Sequence, residues 1–136
     1  MSNSYSTQAA VRMTPADYAR LAALAALAAA PATLGGSILA AEVERAQVVE
    51  GDAPDQHFVR LHSRIEYIDL TSGRTRVVQV VLPNEADVDQ GRISVLSPVG
   101  AALIGLKTGD SFAWTGEDGR PHVLVVVALE ADHGAA

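Results

Sequence analysis

The sequence predicts an α+β chain, with a short N-terminal antiparallel helical hairpin followed by a twisted antiparallel β-sheet carrying one short helix. Three observations lead there. The apolar period changes from helical to two after the polar stretch Glu50-Gly51-Asp52-Ala53-Pro54-Asp55, which breaks both patterns and reads as a linker. Two hydroxyl-proline pairs, Thr14-Pro15 and Ser97-Pro98, mark helix starts on either side of it. Apolar residues make up 49% of the chain and aromatics only 4%, enough for an aliphatic core but few rings for stacking on bases or sugars.

Residues 1–13 are polar and aperiodic and read as a flexible tail. Residues 14–50 read as the hairpin. Thr14 caps the first helix, Pro15 sits where a missing N–H costs nothing, and Asp17 falls in the first turn. The helix is expected to run to Ala30, with Tyr18, Leu21, Leu24 and Leu27 as one apolar stripe. Pro31 to Gly36 is a short link. Ser37 is expected to cap a second helix through about Val48, with Leu39, Val43 and Ala46 on one face and Glu42, Glu44 and Arg45 elsewhere.

Residues 56–131 read as the sheet unit. From His57 onward Val59, Leu61, Ile65 and Tyr67 alternate with Arg60, His62, Arg64 and Glu66, the pattern of a half-buried strand. Asp69 to Gly73 supplies a turn, and the strand Arg74 to Leu82 carries Val77-Val78 and Val80-Val81, which implies burial on both faces. An acidic loop, Asn84 to Gly91, leads to a short strand from Arg92 to Leu96. Ser97-Pro98 opens the helix Val99 to Leu106, and Ser111 to Thr115 and His122 to Glu130 close the sheet as a hairpin around Gly116 to Arg120.

Charge and composition exclude several functions. Ten basic residues against 16 acidic ones give a net charge of −6, so counterion release from phosphates favours no direct, sequence-specific nucleic-acid binding. The absence of cysteine removes disulfides, thiolate metal sites and cysteine nucleophiles. Arg12 and Arg20 ahead of Leu21 to Ala30 imitate a secretory signal, but Asp17, the alanine-rich core and Pro31 count against it. Pro31, Gly35 and Gly36 interrupt the stretch before the ~20 apolar residues of a membrane span. The chain therefore reads as cytoplasmic, with no membrane partner. His57 and His62 have opposite strand parity, and His122 and His133 lie far away, so no ligand set forms. Neither Ser97 nor Ser111 sits in a nucleophile elbow, and the glycines form no phosphate loop. No catalytic, metal or cofactor residue is expected. Arg60, Arg64, Arg74 and Arg76 have two readings, a basic stripe for an acidic protein surface or a solvated face balanced by Glu66 and Asp69.

Within Ser94 to Asp110, the combination Ser97-Pro98, Gly100, Ala102-Leu103, Gly105 and Gly109-Asp110 resembles the C-terminal signature of the GreA/GreB transcript cleavage factors, an FKBP-like domain. The chain is more similar still to the Rnk family, the regulators of nucleoside diphosphate kinase. Ala41 to Val49 resembles that family's second helix and Ser63 to Leu70 its first strand, and together the resemblance runs from about Leu34 to Glu130. It implies a transcription regulator that binds RNA polymerase near the secondary channel and competes there with Gre factors. On family grounds Ser97, Pro98 and Leu103 are docking candidates, with Arg60 and Arg64 added from the basic stripe. Ser97 and Pro98 also serve as a helix start, and Leu103 also suits the core. Leu96 stands where Gre factors commonly carry an acid. In Gre factors a long coiled coil carries tip carboxylates that hold a catalytic magnesium ion. Here no carboxylate lies between Ala30 and Ala41, and helices of some 16 residues reach only about 24 Å. The resemblance thus implies a partner-binding protein, not an enzyme. Two alternatives stay open: an FKBP-like peptidyl-prolyl isomerase, for whose pocket six aromatics in the whole chain leave few, and a direct regulator of nucleoside diphosphate kinase.

Overall fold

The computed structural model describes residues 10–29, 32–49 and 57–130. Strand β1 (Arg12–Met13) precedes helices α1 (Pro15–Leu27) and α2 (Leu34–Arg45), and β2 (Gln47–Val48) follows them. The second half contains β3 (Arg64–Asp69), β4 (Arg74–Val81), β5 (Arg92–Ser94), α3 (Pro98–Leu103), β6 (Ser111–Thr115) and β7 (Pro121–Leu129).

Helix α1 starts as its sequence dictates, the Thr14 hydroxyl accepting from the Asp17 N–H at 3.1 Å with Pro15 in the first turn. Its expected stripe wraps around the helix. A three-residue spacing falls about 60° behind at each step of a 100° rotation, so Leu21 is buried while Tyr18 and Leu27 are exposed. Helix α2 begins earlier than its sequence suggests, capped by Thr33, which accepts from the Gly36 N–H at 3.0 Å, and not by Ser37. Gly35 and Gly36 look like breakers in sequence, yet they lie buried in the first turn of α2. A Cβ on Gly35 would collide with the Leu96 carbonyl, so glycine is what lets the helix lie directly on that backbone. Glu42 falls on the buried stripe with Ile38, Leu39 and Val43, correcting its expected outward placement. It is 1% exposed and pairs with Arg45 at 2.9 Å. Burial raises its pKa, against the opposing pull of the Arg45 hydrogen bond and charge.

The helix ends at Arg45, and Gln47–Val48 pairs in parallel with Arg12–Met13 instead of continuing to Val48 as a helix. Val11 and Met13, expected in a tail, are each 1% exposed. Residues 1–9 and the proposed linker, Glu50 to Asp55, lie outside the described residues.

The main sheet has the order β5-β4-β3-β7-β6. Three of its ladders are antiparallel, whereas β5 runs parallel to β4, with Gln79 opposite Arg92. Two 3₁₀ turns, Pro83–Glu85 and Val88–Gln90, bring the chain back level with Gln79. That return replaces the plain acidic loop and all-antiparallel order expected from sequence.

The alternation from Val59 to Tyr67 predicts its buried face correctly, since Val59, Leu61, Ile65 and Tyr67 are all buried. The strand itself starts only at Arg64. Before it, Val59 exchanges backbone hydrogen bonds with Gly105 and Leu106, Leu61 donates its N–H to the Asp17 carboxylate at 3.0 Å, and His62 turns the chain with φ of 75°. Along β4, Val78, Val80 and Val81 are buried but Val77 is 52% exposed, so only one face of that part is covered. One buried cluster joins both halves: Val11, Leu21 and Leu39 from the first pack with Leu103, Phe112 and Val126 from the second.

Candidate docking groove

The Ser94–Gly100 turn is held from within. Ser97 Oγ donates to the Ser94 carbonyl at 2.7 Å and accepts from the Gly100 N–H at 3.1 Å. Ser94 Oγ accepts from the Leu96 N–H at 2.9 Å. A Cβ on Gly100 would collide with the Ser94 carbonyl, so the chain closes tightly there. This turn presents Pro98 and Val99 to an open groove of about 500 Å³.

The groove lies between the start of α2, the start of α3 and one face of the sheet. Leu34, Pro98 and Val99 form one wall, with Tyr67, Trp114 and Leu124 across from them. Strand pairing explains why these sheet residues share a face: Trp114 stands opposite His122 and Phe112 opposite Leu124 in the β6/β7 ladder, and Asp69 opposite Leu124 between β3 and β7. The Trp114 and His122 rings stack with centroids 5.3 Å apart and planes 17° from parallel. Phe112 leans on Trp114 from a 6.2 Å centroid distance. The rim comprises Asp69 and the turn residues Gly116, Glu117 and Asp118. Gly116 makes room for it, because a Cβ there would lie 2.6 Å from His122 Nε2. Burial raises the Tyr67 pKa, opposed by the charge of Arg76 and reinforced by that of Asp69, so the phenol keeps its proton and can donate a hydrogen bond.

The sequence-derived docking residues separate. Pro98 lines the groove, and Ser97 lies beneath it as the cap of α3. Leu103 is 0% exposed and lies in the core, as the second of its two sequence readings expects, so its side chain does not line the groove. Arg60 lies over the Phe58 ring at 4.9 Å, outside the strands. Arg64 pairs with Glu130 at 3.2 Å. The β3/β4 register puts Arg64 on the face of Gln79 and Val77, whereas Arg76 and Arg74 share the opposite face with Tyr67 and Asp69. The four arginines therefore form no single stripe.

Leu34, Tyr67, Trp114 and His122 escaped the sequence reading because five separated segments meet at the groove. The available hint was strand parity, which sets Phe112 and Trp114 on one face of a short strand. Among the described residues, no group of three or more His, Asp or Glu side chains could hold a metal ion. His62 instead bonds Glu85 at 2.8 Å, which lowers the Glu85 pKa. No helix of the described residues is long and apolar enough to cross a membrane.

Comparison with known proteins places this geometry. Residues 54–131 match the family model "Transcription elongation factor, GreA/GreB, C-term". The chain is 37% identical over 98 residues, covering 72% of each protein, to the regulator of nucleoside diphosphate kinase from Escherichia coli. It is 38% identical over 72 residues to transcription elongation factor GreA from Thermodesulfovibrio yellowstonii, covering 53% of this chain and 46% of that relative. Among solved structures, the GreA/GreB transcription elongation factor from Nitrosomonas europaea superposes with a TM-score of 0.65 at 29% identity, covering 88% of this chain and 98% of that one. The match spans more than half of the chain and includes the turn that builds one wall of the groove, and the chain belongs to the GreA/GreB family of transcription elongation factors and regulators.

Proposed function

We propose that the chain regulates transcription by docking on RNA polymerase through the groove beside Ser97-Pro98, competing with Gre factors and cleaving no transcript. The observation that carries this reading is the position of the family signature. Its Ser-Pro turn, pinned by the Ser97 and Ser94 hydroxyls, forms a wall of the groove where a partner's side chain can be desolvated. The chemistry of the hairpin supports the second half of the reading. Helices of 13 and 12 residues extend about 20 Å, and no carboxylate lies between Ala30 and Ala41 to hold a divalent ion. A protein acting on polymerase in this way works in the cytoplasm.

Binding of labelled chain to core polymerase tests this reading. Unlabelled GreA should displace it, and Val99→Glu, which puts a charge into the groove wall, should weaken binding by about tenfold or more. Binding that is indifferent to both GreA and Val99→Glu would refute docking through the groove. The printed name of the Escherichia coli relative favours a second reading, in which the partner is nucleoside diphosphate kinase. Retention of the purified kinase, and not of polymerase, would support it. The groove brings Tyr67 and Trp114 together, which also makes a proline-peptide isomerisation assay worth running. A rate above the uncatalysed one would establish the isomerase alternative.

A further inference from the structure

The charged residues lining the groove are Asp69, Glu117 and Asp118, all of them acidic. Asp69 accepts a hydrogen bond from the Thr71 N–H at 2.8 Å. Asp118 accepts one from the Arg120 N–H at 2.9 Å and lies 3.7 Å from His122 Nε2. None of the three forms a salt bridge with lysine or arginine among the described residues. Arg74 stands opposite Asp69 and Arg76 opposite Tyr67 in the β3/β4 ladder, and neither lines the groove. An apolar wall therefore faces a rim that carries the Glu117 and Asp118 carboxylates at the Gly116–Arg120 turn, neither of them in a salt bridge with lysine or arginine among the described residues. A nucleic acid or an acidic peptide would bring like charge to that rim, on a chain that already carries a net −6.

We infer that the groove accepts a protein segment presenting an apolar side chain flanked by lysine or arginine. The apolar side chain enters between Leu34, Val99 and Trp114, and the flanking cations meet Glu117, Asp118 and Asp69. This deepens the docking reading by naming the chemistry of what docks, and it rests on that reading only for the identification of the partner as polymerase. The acidic rim acts as a selectivity device, admitting cationic segments and turning away anionic ones that would fit the apolar wall equally well.

Trp114 is the only tryptophan of the chain and stands in the groove wall, so its emission reports occupancy directly. The test titrates the full-length protein with three amidated ten-residue peptides. One carries a central leucine flanked by arginines, the second the same leucine flanked by glutamates, and the third the arginines around a serine. Only the first should shift Trp114 emission saturably. Its affinity should fall several-fold as salt screens the rim, and by about tenfold with Glu117→Lys plus Asp118→Lys. Both side chains are exposed, and the milder pair Glu117→Gln plus Asp118→Asn should give an intermediate loss with folding intact. Equal binding of the glutamate peptide, or indifference to both pairs of variants, would overturn the inference. An emission change that tracks protein concentration without peptide would overturn it too, assigning the groove to a second copy. Polymerase binding separates this inference from the reading beneath it. Wild-type retention of polymerase with no loss in the charge-reversed variant sinks the rim but not the docking. Peptide selectivity without any polymerase retention sinks the docking reading and leaves the rim.

Discussion

The N-terminal hairpin and the five-stranded sheet contribute to one core by different means. The sheet holds its shape through ladders of backbone hydrogen bonds and one aliphatic face, and it lies within the stretch that matches the GreA/GreB family model. The hairpin owes its place to close approach, with Gly35 lying on the Leu96 carbonyl and Asp17 accepting from the Leu61 N–H. The difference teaches that the hairpin is welded to the sheet. It serves as structural support, and through Leu34 it completes the groove wall.

The strongest way to break that comparison is to hollow the core from each side. Leu39 and Leu103 are both 0% exposed, one in each region. Leu39→Ala and Leu103→Ala should each cost about 2–5 kcal/mol and leave a single unfolding transition in denaturant. A second transition in Leu39→Ala, with the sheet melting as in wild type, would show that the hairpin is an independent unit. Gly35→Ala sharpens the same point at the seam. A methyl group against the Leu96 carbonyl should destabilise by about 1–3 kcal/mol, read from the midpoint of urea unfolding, and it should also weaken docking by moving Leu34.

The two regions use the same capping device at Thr33 and Ser97, which predicts unequal losses. Thr33→Ala should cost about 0.5–2 kcal/mol. Ser97→Ala should cost more, because its hydroxyl also donates to the Ser94 carbonyl. Equal thermal shifts would show that the second bond adds nothing.

The smallest effect is pH-dependent and belongs to the hairpin. Burial raises the Glu42 pKa in the folded state. The stabilisation linked to its protonation is therefore full below the unfolded value near 4.5 and is lost as pH rises through the folded pKa. Glu42→Gln removes that dependence. It should melt higher than wild type at pH 7, and the two should converge as the pH falls towards 4. A gap that widens on acidification would mean that the Arg45 ion pair outweighs desolvation.

Much of the fold was legible wherever a local signal sufficed. Thr14 and Ser97 cap as their neighbours indicate, and the parity from Val59 to Tyr67 names the buried face even though His62 turns the chain before the strand begins. What stayed hidden depends on distant contacts. The two-residue pairing of Arg12–Met13 with Gln47–Val48 joins segments on either side of the hairpin. Gly35 reads as a breaker until Leu96 is known to lie against it. Glu42 looks solvated until its helix face is covered. For the groove, Pro98 was accessible through the family signature, whereas Leu34, Tyr67, Trp114 and His122 are adjacent only in the folded chain.

Transcript cleavage provides the most direct test of the central claim, that the chain takes the place of a Gre factor on polymerase without its chemistry. Arrested elongation complexes carrying end-labelled RNA are incubated with GreA, with this chain, and with both together. Docking through the groove, with no carboxylate at the hairpin tip, predicts full-length RNA with this chain alone and a dose-dependent block of GreA-stimulated shortening when both are present. Val99→Glu should relieve that block. Shortened RNA appearing in proportion to this chain in GreA-free preparations, or GreA cleavage unaffected by saturating amounts of it, would contradict the account.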